Sequence, residues 1–270
     1  MLVEDGGAFL KISPLPADPI SAAAGMLAGD RIVAVGDLAD ADAAQVVDVT
    51  GLAVAPGFIN MLSWSNETLI TDPRSQSDIR QGVTLEIFGE GWSMGPLSDA
   101  MKEDLRFGAD TIEAAWTTLG EYLAFLERRG VAPNVASFVG ATTVRIHELG
   151  RDDVDPTPEQ LERMRALVRQ AMREGALGLG TSLIYAPAAY AETDELVALA
   201  EEAARFGGIY ISHMRSEGDG IMAALDELIE IARRADIPAE IYHLKLAGES
   251  NWNRLDEVLR RIEDARAEGL

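Results

Sequence analysis

IYISHMRSEGDGIMAALDELIEIARRADIPAEIYHLKLAG, residues 209–248, reads as one complete strand–helix–strand unit. Its ends are apolar and rich in β-branched residues, Ile209 to His213 and Ala239 to Lys245, and a stripe at helical spacing runs between them from Asp219 to about Ala235. Each strand carries a histidine near its carboxyl end, and His213 and His243 lie 30 residues apart, the length of one βα unit. Parallel α/β folds build their sites at that end of the strands. Alternation predicts that Ile209, Ile211 and His213 share one face, and that Ile241, His243 and Lys245 share a face of the next strand. Two imidazoles and an ammonium inside a parallel sheet are costly without ligands or hydrogen-bond partners. Two readings follow: a functional pair, or core histidines satisfied by backbone carbonyls.

The same rhythm extends toward the N-terminus. Apolar runs at Val54–Leu62, Val83–Phe88, Val135–Val139 and Leu177–Thr181 bring the strand candidates to six. Between them lie helical patterns with clear ends. Asp110 and Glu113 have capping-box spacing and predict a helix to about Arg129, stopped by Gly130. Thr157, Pro158 and Gln160 start another, with Leu161, Met164, Leu167, Val168 and Met172 as its apolar stripe before Gly175. Further stripes run from Thr193 to Phe206 and from Asn253 to about Ala267. Residues 55–270 are thus a run of βα units, predicting a parallel sheet that is open or curled into a barrel. Residues 1–54 have another texture, rich in Gly, Ala, Asp and Val with β-like pieces at Arg31–Val35 and Val46–Val49, and predict a small β subdomain.

The 270 residues are 47% hydrophobic, a globular composition. With 23 Lys+Arg against 45 Asp+Glu, the formal charge of −22 disfavours nucleic acid and anionic membrane as partners and favours a small-molecule ligand. No apolar run approaches the ~18 residues of a spanning helix, and the start MLVEDGGAF lacks a basic leader, so a cytoplasmic protein is expected. Cysteine is absent, which leaves His, Asp and Glu as strong metal ligands.

Other residues join the histidines at the predicted strand mouths. In GVTLEIFGEGWS, alternation assigns Val83, Leu85 and Ile87 to the helix side and Thr84 and Glu86 to the interior, with Glu90 at the loop mouth. Glu90 would complete a site of two imidazoles and one carboxylate, while Glu86 suits an ion pair with Lys245 or an arginine. Arg215 can grip a carboxylate in bidentate fashion or pair with Glu217 at the surface. Tyr185 and Tyr190 lie in one rim loop, and His147, with Arg145 two residues before it, sits just past the third strand.

Taken together these stretches resemble the N-acyl-D-amino-acid deacylases (D-aminoacylases) of the metal-dependent amidohydrolase superfamily. The likeness runs from about Gly29 to the end, on GDRIVAVG, GLAVAPGFIN, RQGVT, EGALGLGTSLIYAPAAYAETDEL, GGIYISHMRSEGD and IYHLKLAGESNW. It implies a (β/α)8 TIM barrel, here with about six βα units, flanked by a β-sandwich to which residues 1–54 contribute. It also implies zinc-assisted hydrolysis of an N-acyl-D-amino acid, the metal polarising the carbonyl and activating water.

Residue by residue, the resemblance makes His213 and His243 the zinc-binding histidines and sets Arg215, Lys245 and Tyr190 near the substrate. Leu62 and Trp64 stand where the family has a His-x-His pair. Gly89-Glu90-Gly91-Trp92 replaces a cysteine-bearing turn, which favours Glu90 over Glu86 as third ligand. The family's catalytic aspartate would fall beyond Leu270, and the opening residues depart from the family, so the chain reads as a partial member. The expectation is an amidohydrolase holding one zinc at most. The alternative is a non-catalytic relative in which Trp64 fills the lost metal position and Arg215 and Lys245 hold an anionic ligand. The oligomeric state is left open.

Overall fold

The computed structural model describes residues 9–13, 24–28, 31–36, 40, 42–49, 52–107 and 112–270. Two compact units divide the chain, Met1–Pro56 and Gly57–Leu270. The first holds one sheet of β1 (Phe9–Ser13), β2 (Ala24–Ala28), β3 (Arg31–Gly36) and β4 (Gln45–Asp48). Its order is β3-β2-β1-β4, with β4 parallel to β1 and the other pairs antiparallel.

The second unit alternates strands and helices. It begins with β5 (Phe58–Asn60), the single turns α1 (Thr68–Thr71) and α2 (Gln76–Ile79), and β6 (Val83–Phe88). Next come α3 (Asp99–Asp104), the short antiparallel pair β7 (Arg106–Phe107) and β8 (Ile112–Glu113), and α4 (Leu119–Arg129). Then follow β9 (Asn134–Ser137), β10 (Val139–Gly140), α5 (Ala141–Leu149), α6 (Pro158–Arg173), β11 (Gly178–Ser182) and α7 (Thr193–Ala204). The chain continues through β12 (Ile209–His213), α8 (Ile221–Ala235), β13 (Ala239–Ile241) and α9 (Leu255–Ala267). Among the described residues no helix is long and apolar enough to cross a membrane.

The strands form two wholly parallel sheets in chain order, β5-β6-β9 and β10-β11-β12-β13. These meet at one kinked strand. The Phe138 N–H donates to the Phe88 carbonyl at 2.9 Å and the Leu177 N–H to the Ser137 carbonyl at 3.0 Å, so the ladder passes from one sheet to the other at Phe138. The predicted strand over 135–139 is therefore β9 and β10 with a bend between them.

Helix ends follow from local chemistry. Thr157 and Gln160 form the expected capping box of α6, with proline in the first turn. Gly130, at φ 74°, ends α4. The start of α4 is not where the sequence suggested: Asp110 lies outside the described residues, Glu113 belongs to β8, and the helix begins at Leu119 under a Thr118–Glu121 capping box. Two boxes of equal spacing compete here. The second lets Trp116 enter the core before the helix begins, its indole donating to the Met94 carbonyl at 2.6 Å.

The core has two parts. Helix stripes such as Met164 and Val168 of α6, Leu196 and Leu199 of α7, and Leu225, Leu228 and Ile231 of α8 pack with Phe88, Val139, Leu179 and Tyr210 on one side of the strands. Each such side chain contributes about 1.5–3 kcal/mol by leaving water. The other side gathers Ile87, Phe138, Ile211 and Tyr242, with Leu85 and Ile209 against them.

This partition confirms the facing of Ile209 and Ile211 but inverts two parity expectations. On β6, Leu85 and Ile87 face the inner cluster, whereas Phe88, of the same parity as Glu86, packs on the helices. Among the described residues Glu86 forms no ion pair with Lys245 or an arginine. Fully buried, it accepts hydrogen bonds from Ser63 Oγ at 2.7 Å and Ser75 Oγ at 2.6 Å. On β13, regular strand ends at Ile241, which packs toward the helices with Ala239.

Between α6 and α7 lies a buried charge. The Glu202 carboxylate is wholly enclosed and accepts from Arg165 Nη2 at 2.7 Å and Arg169 Nε at 2.9 Å, with Arg205 Nη1 at 3.1 Å. Burial pushes its pKa up, but the Arg169 and Arg165 hydrogen bonds outweigh that and hold it below the usual carboxylate range.

Candidate metal centre

Strand mouths bring the site together, and two backbone reversals aim its ligands. Past β6, alternation would send Glu90 outward with Glu86 and Phe88. Gly89 and Gly91, at φ 105° and 74°, break it. The turn is tight on every side: a Cβ at Gly89 would stand 2.5 Å from the Phe138 carbonyl oxygen, and one at Gly91 2.7 Å from Ser182 Cβ. Past β13, His243 takes φ 34°, a left-handed conformation that turns it back from the helix side. His213 needs no such device, because it ends β12 on the same face as Ile211.

Glu90, His213 and His243 converge as a result. One carboxylate oxygen, Glu90 Oε1, lies 2.9 Å from His213 Nδ1 and 2.9 Å from His243 Nε2. The two rings stand nearly perpendicular, 4.5 Å between centroids. All three ligand atoms lie within 4.8 Å of one another. Glu90 and His213 are buried, at 7% and 5% exposure, and His243 is more open.

A second carboxylate serves the far side of both rings. Glu217 Oε1 lies 3.5 Å from His213 Nε2, 3.2 Å from His243 Nδ1 and 2.8 Å from Lys245 Nζ. The His213 distance lacks hydrogen-bond geometry, which leaves that buried nitrogen unsatisfied. A neutral imidazole has one N–H. The hydrogen bonds to Glu90 Oε1 place the ring protons on His213 Nδ1 and His243 Nε2, and a cation bound there would take the place of those protons among the same three donor atoms. Two imidazole nitrogens and one carboxylate oxygen, backed by a second carboxylate, are a donor set that suits zinc.

The remaining predicted residues fall around this group. Trp64, at a position of the expected His-x-His pair, donates its indole N–H to Glu90 Oε2 at 3.0 Å. Arg215 is engaged within the protein: it holds Glu227 in bidentate fashion at 2.9 and 2.8 Å and donates to the Ala189 and Ala191 carbonyls, each at 2.8 Å. It ties the rim loop to α8 rather than pairing with Glu217. Tyr190 is half-buried in the short 3₁₀ turn Ala188–Tyr190, whereas Tyr185 sets its ring edge-on to His213 with centroids 5.3 Å apart. His147 lies on α5 beside Glu148, Nδ1 to Oε1 3.3 Å. Arg145 is buried in a pair with Glu195 at 2.5 Å, and burial raises the Glu195 pKa although Arg145 opposes it. Sequence reasoning missed Glu217 as a partner of both rings; its position four residues after His213, at the same mouth, was the available signal.

No family model matches the chain. Individual relatives do. It is 39% identical over 241 residues to a D-aminoacylase of Alcaligenes xylosoxydans xylosoxydans, covering 88% of this chain and 50% of that protein. The crystal structure of D-aminoacylase that defines a novel subset of amidohydrolases superposes with a TM-score of 0.82 at 32% identity, covering 96% of this chain and 56% of that one. N-acyl-D-glutamate deacylase from Bordetella bronchiseptica, complexed with zinc and a phosphonate inhibitor that mimics the tetrahedral intermediate, matches with a TM-score of 0.80 at 28% identity. That match covers 98% of this chain and 57% of that one. The chain spans about half the length of the curated relatives it matches. Over that span it is similar to the N-acyl-D-amino-acid deacylases and to the D-aminoacylase structure that defines a subset of amidohydrolases.

Proposed function

We propose that the chain holds a single zinc ion at Glu90, His213 and His243, and that this centre serves hydrolysis of the amide bond of an N-acyl-D-amino acid. The observation that carries the reading is the convergence of two imidazole nitrogens on one buried carboxylate oxygen, at 2.9 Å each. A zinc ion bound there would polarise an amide carbonyl and lower the pKa of a water molecule. This chain's own residues have separate tasks. Glu217 pairs with Lys245 and sets a negative charge beside the distal nitrogens of both rings. Trp64 steers Glu90 through its second oxygen, and neither its indole nor Leu62 supplies a donor for a second ion. Tyr185 sets its ring edge-on against His213. The relatives' names favour deacylation over the non-catalytic binding reading.

The same proposal assigns residues 55–270 to a (β/α)8-type barrel, of which six βα units lie within the chain, and residues 1–54 to a β subdomain. Six parallel strands in chain order support it. The test is metal analysis of zinc-replete protein together with amine release from N-acetyl-D-methionine and its L enantiomer. The expected result is about one zinc per chain, lost in His213→Ala, with release from the D form. Protein without stoichiometric zinc would overturn the reading.

A further inference from the structure

A cavity of about 430 Å³ between α8, α9 and β13 is apolar and belongs to no described chemistry. A second cavity, of about 230 Å³, opens beside the metal ligands. Its walls include Glu90, Trp64, Trp92, Tyr185, Ile146 and Arg151. Arg151 is the one cation among them. It follows Gly150 at the end of α5, and its guanidinium carbon lies over the Trp92 ring, 5.9 Å from the centroid. Among the described residues it forms no ion pair, although the chain carries 45 acidic side chains against 23 basic ones. Two cations that follow β12 and β13 are committed, Arg215 to Glu227 and Lys245 to Glu217.

The geometry points to this cavity as a carboxylate-recognition subsite, with Arg151 the residue that binds the anion. A guanidinium over an indole face is held by cation–π attraction, while its in-plane N–H donors stay available for a bidentate partner. The apolar walls fit the aliphatic part of a small acid, and Glu90 on the same wall places that acid beside the metal ligands. A net charge of −22 makes a dedicated cation the more necessary, since the protein as a whole repels anions. This inference rests on the proposed metal centre and refines it by naming the charge that the ligand carries. Two sources supply that charge in an N-acyl amino acid: the α-carboxylate common to the class, or a second carboxylate on the side chain.

The test is ligand binding to the zinc-loaded protein, read by stopped-flow tryptophan emission before amine release. The ligands are N-acetyl-D-methionine against N-acetyl-D-methioninamide, and N-acetyl-D-glutamate against N-acetyl-D-glutamine. Wild type is expected to prefer an acid over its amide by about tenfold or more, and Arg151→Gln to bring the ratio near one without weakening the amide. Arg151→Lys should recover part of the preference. Collapse of the methionine pair assigns the α-carboxylate, and collapse confined to the glutamate pair assigns the side chain. An acid-to-amide ratio unchanged in Arg151→Gln overturns the subsite, as does an absence of binding by all four ligands. Amine release is assayed separately: if hydrolysis fails while the Arg151 effect persists, the deacylase reading falls and the subsite stands.

Discussion

Trp64 and Glu217 both face the proposed metal ligands without belonging to the proposed set. Trp64 donates to Glu90 at 3.0 Å, and Trp64→Phe removes that hydrogen bond while keeping most of the ring. Zinc affinity is expected to fall about tenfold, within the range for lost outer partners, as measured by competition with a chromogenic chelator. Glu217→Gln replaces a carboxylate that faces two rings and an ammonium, and the expected loss is larger, about 10- to 100-fold in the same assay. Unchanged zinc affinity in both variants would show that the rings are held by packing alone. At this scale the sequence was informative where residue types are scarce. With three histidines and no cysteine, His213 and His243 stood out, while Glu90 was preferred to Glu86 only through the resemblance to the family's cysteine-bearing turn. The aiming of those side chains was not legible. A positive φ at His243 leaves no mark in the residue type, and the inward turn of Glu90 depends on two glycines that read only as a loop.

Elements succeed or fail by how locally their signals are determined. β6 and β12 have the bounds their apolar runs predict, because buried parallel strands need continuous apolar stretches. β13 stops four residues short of Lys245, since the chain must leave the ladder to carry His243 and Lys245 to Glu217. The face of β6 could not be read from alternation alone, because both of its faces are buried. One prediction here concerns Gly89. Gly89→Ala imposes a Cβ at φ 105° and 2.5 Å from the Phe138 carbonyl, and it should cost about 2–4 kcal/mol in urea unfolding while weakening zinc binding. A second concerns the α6–α7 pair. Glu202 has a folded-state pKa below its unfolded value of about 4.3, so its stabilisation is present above that pH and is lost as pH falls through the folded value. Glu202→Gln should lower stability by about 2 kcal/mol at pH 7 and flatten the acid limb of the stability profile below pH ~4.3. A variant that keeps the wild-type acid limb would assign that sensitivity to other carboxylates.

At the scale of the whole molecule, the three proposed ligands come from both sheets. Glu90 follows β6, in the three-stranded sheet, while His213 and His243 belong to β12 and the residues past β13, in the four-stranded one. Zinc at 100 times its dissociation constant should stabilise the protein by about 2.7 kcal/mol, seen as a rise in melting temperature. Amide hydrogen exchange should slow most around Ser137 and Phe138, where the ladder passes between the sheets. Uniform protection, or none, would show that the centre is a local feature of one sheet. The bend at Phe138 is a seam with few stitches, and the three ligands form a clasp across it. An ion seated there would button the two panels together, so that their cohesion would slacken when the button is removed.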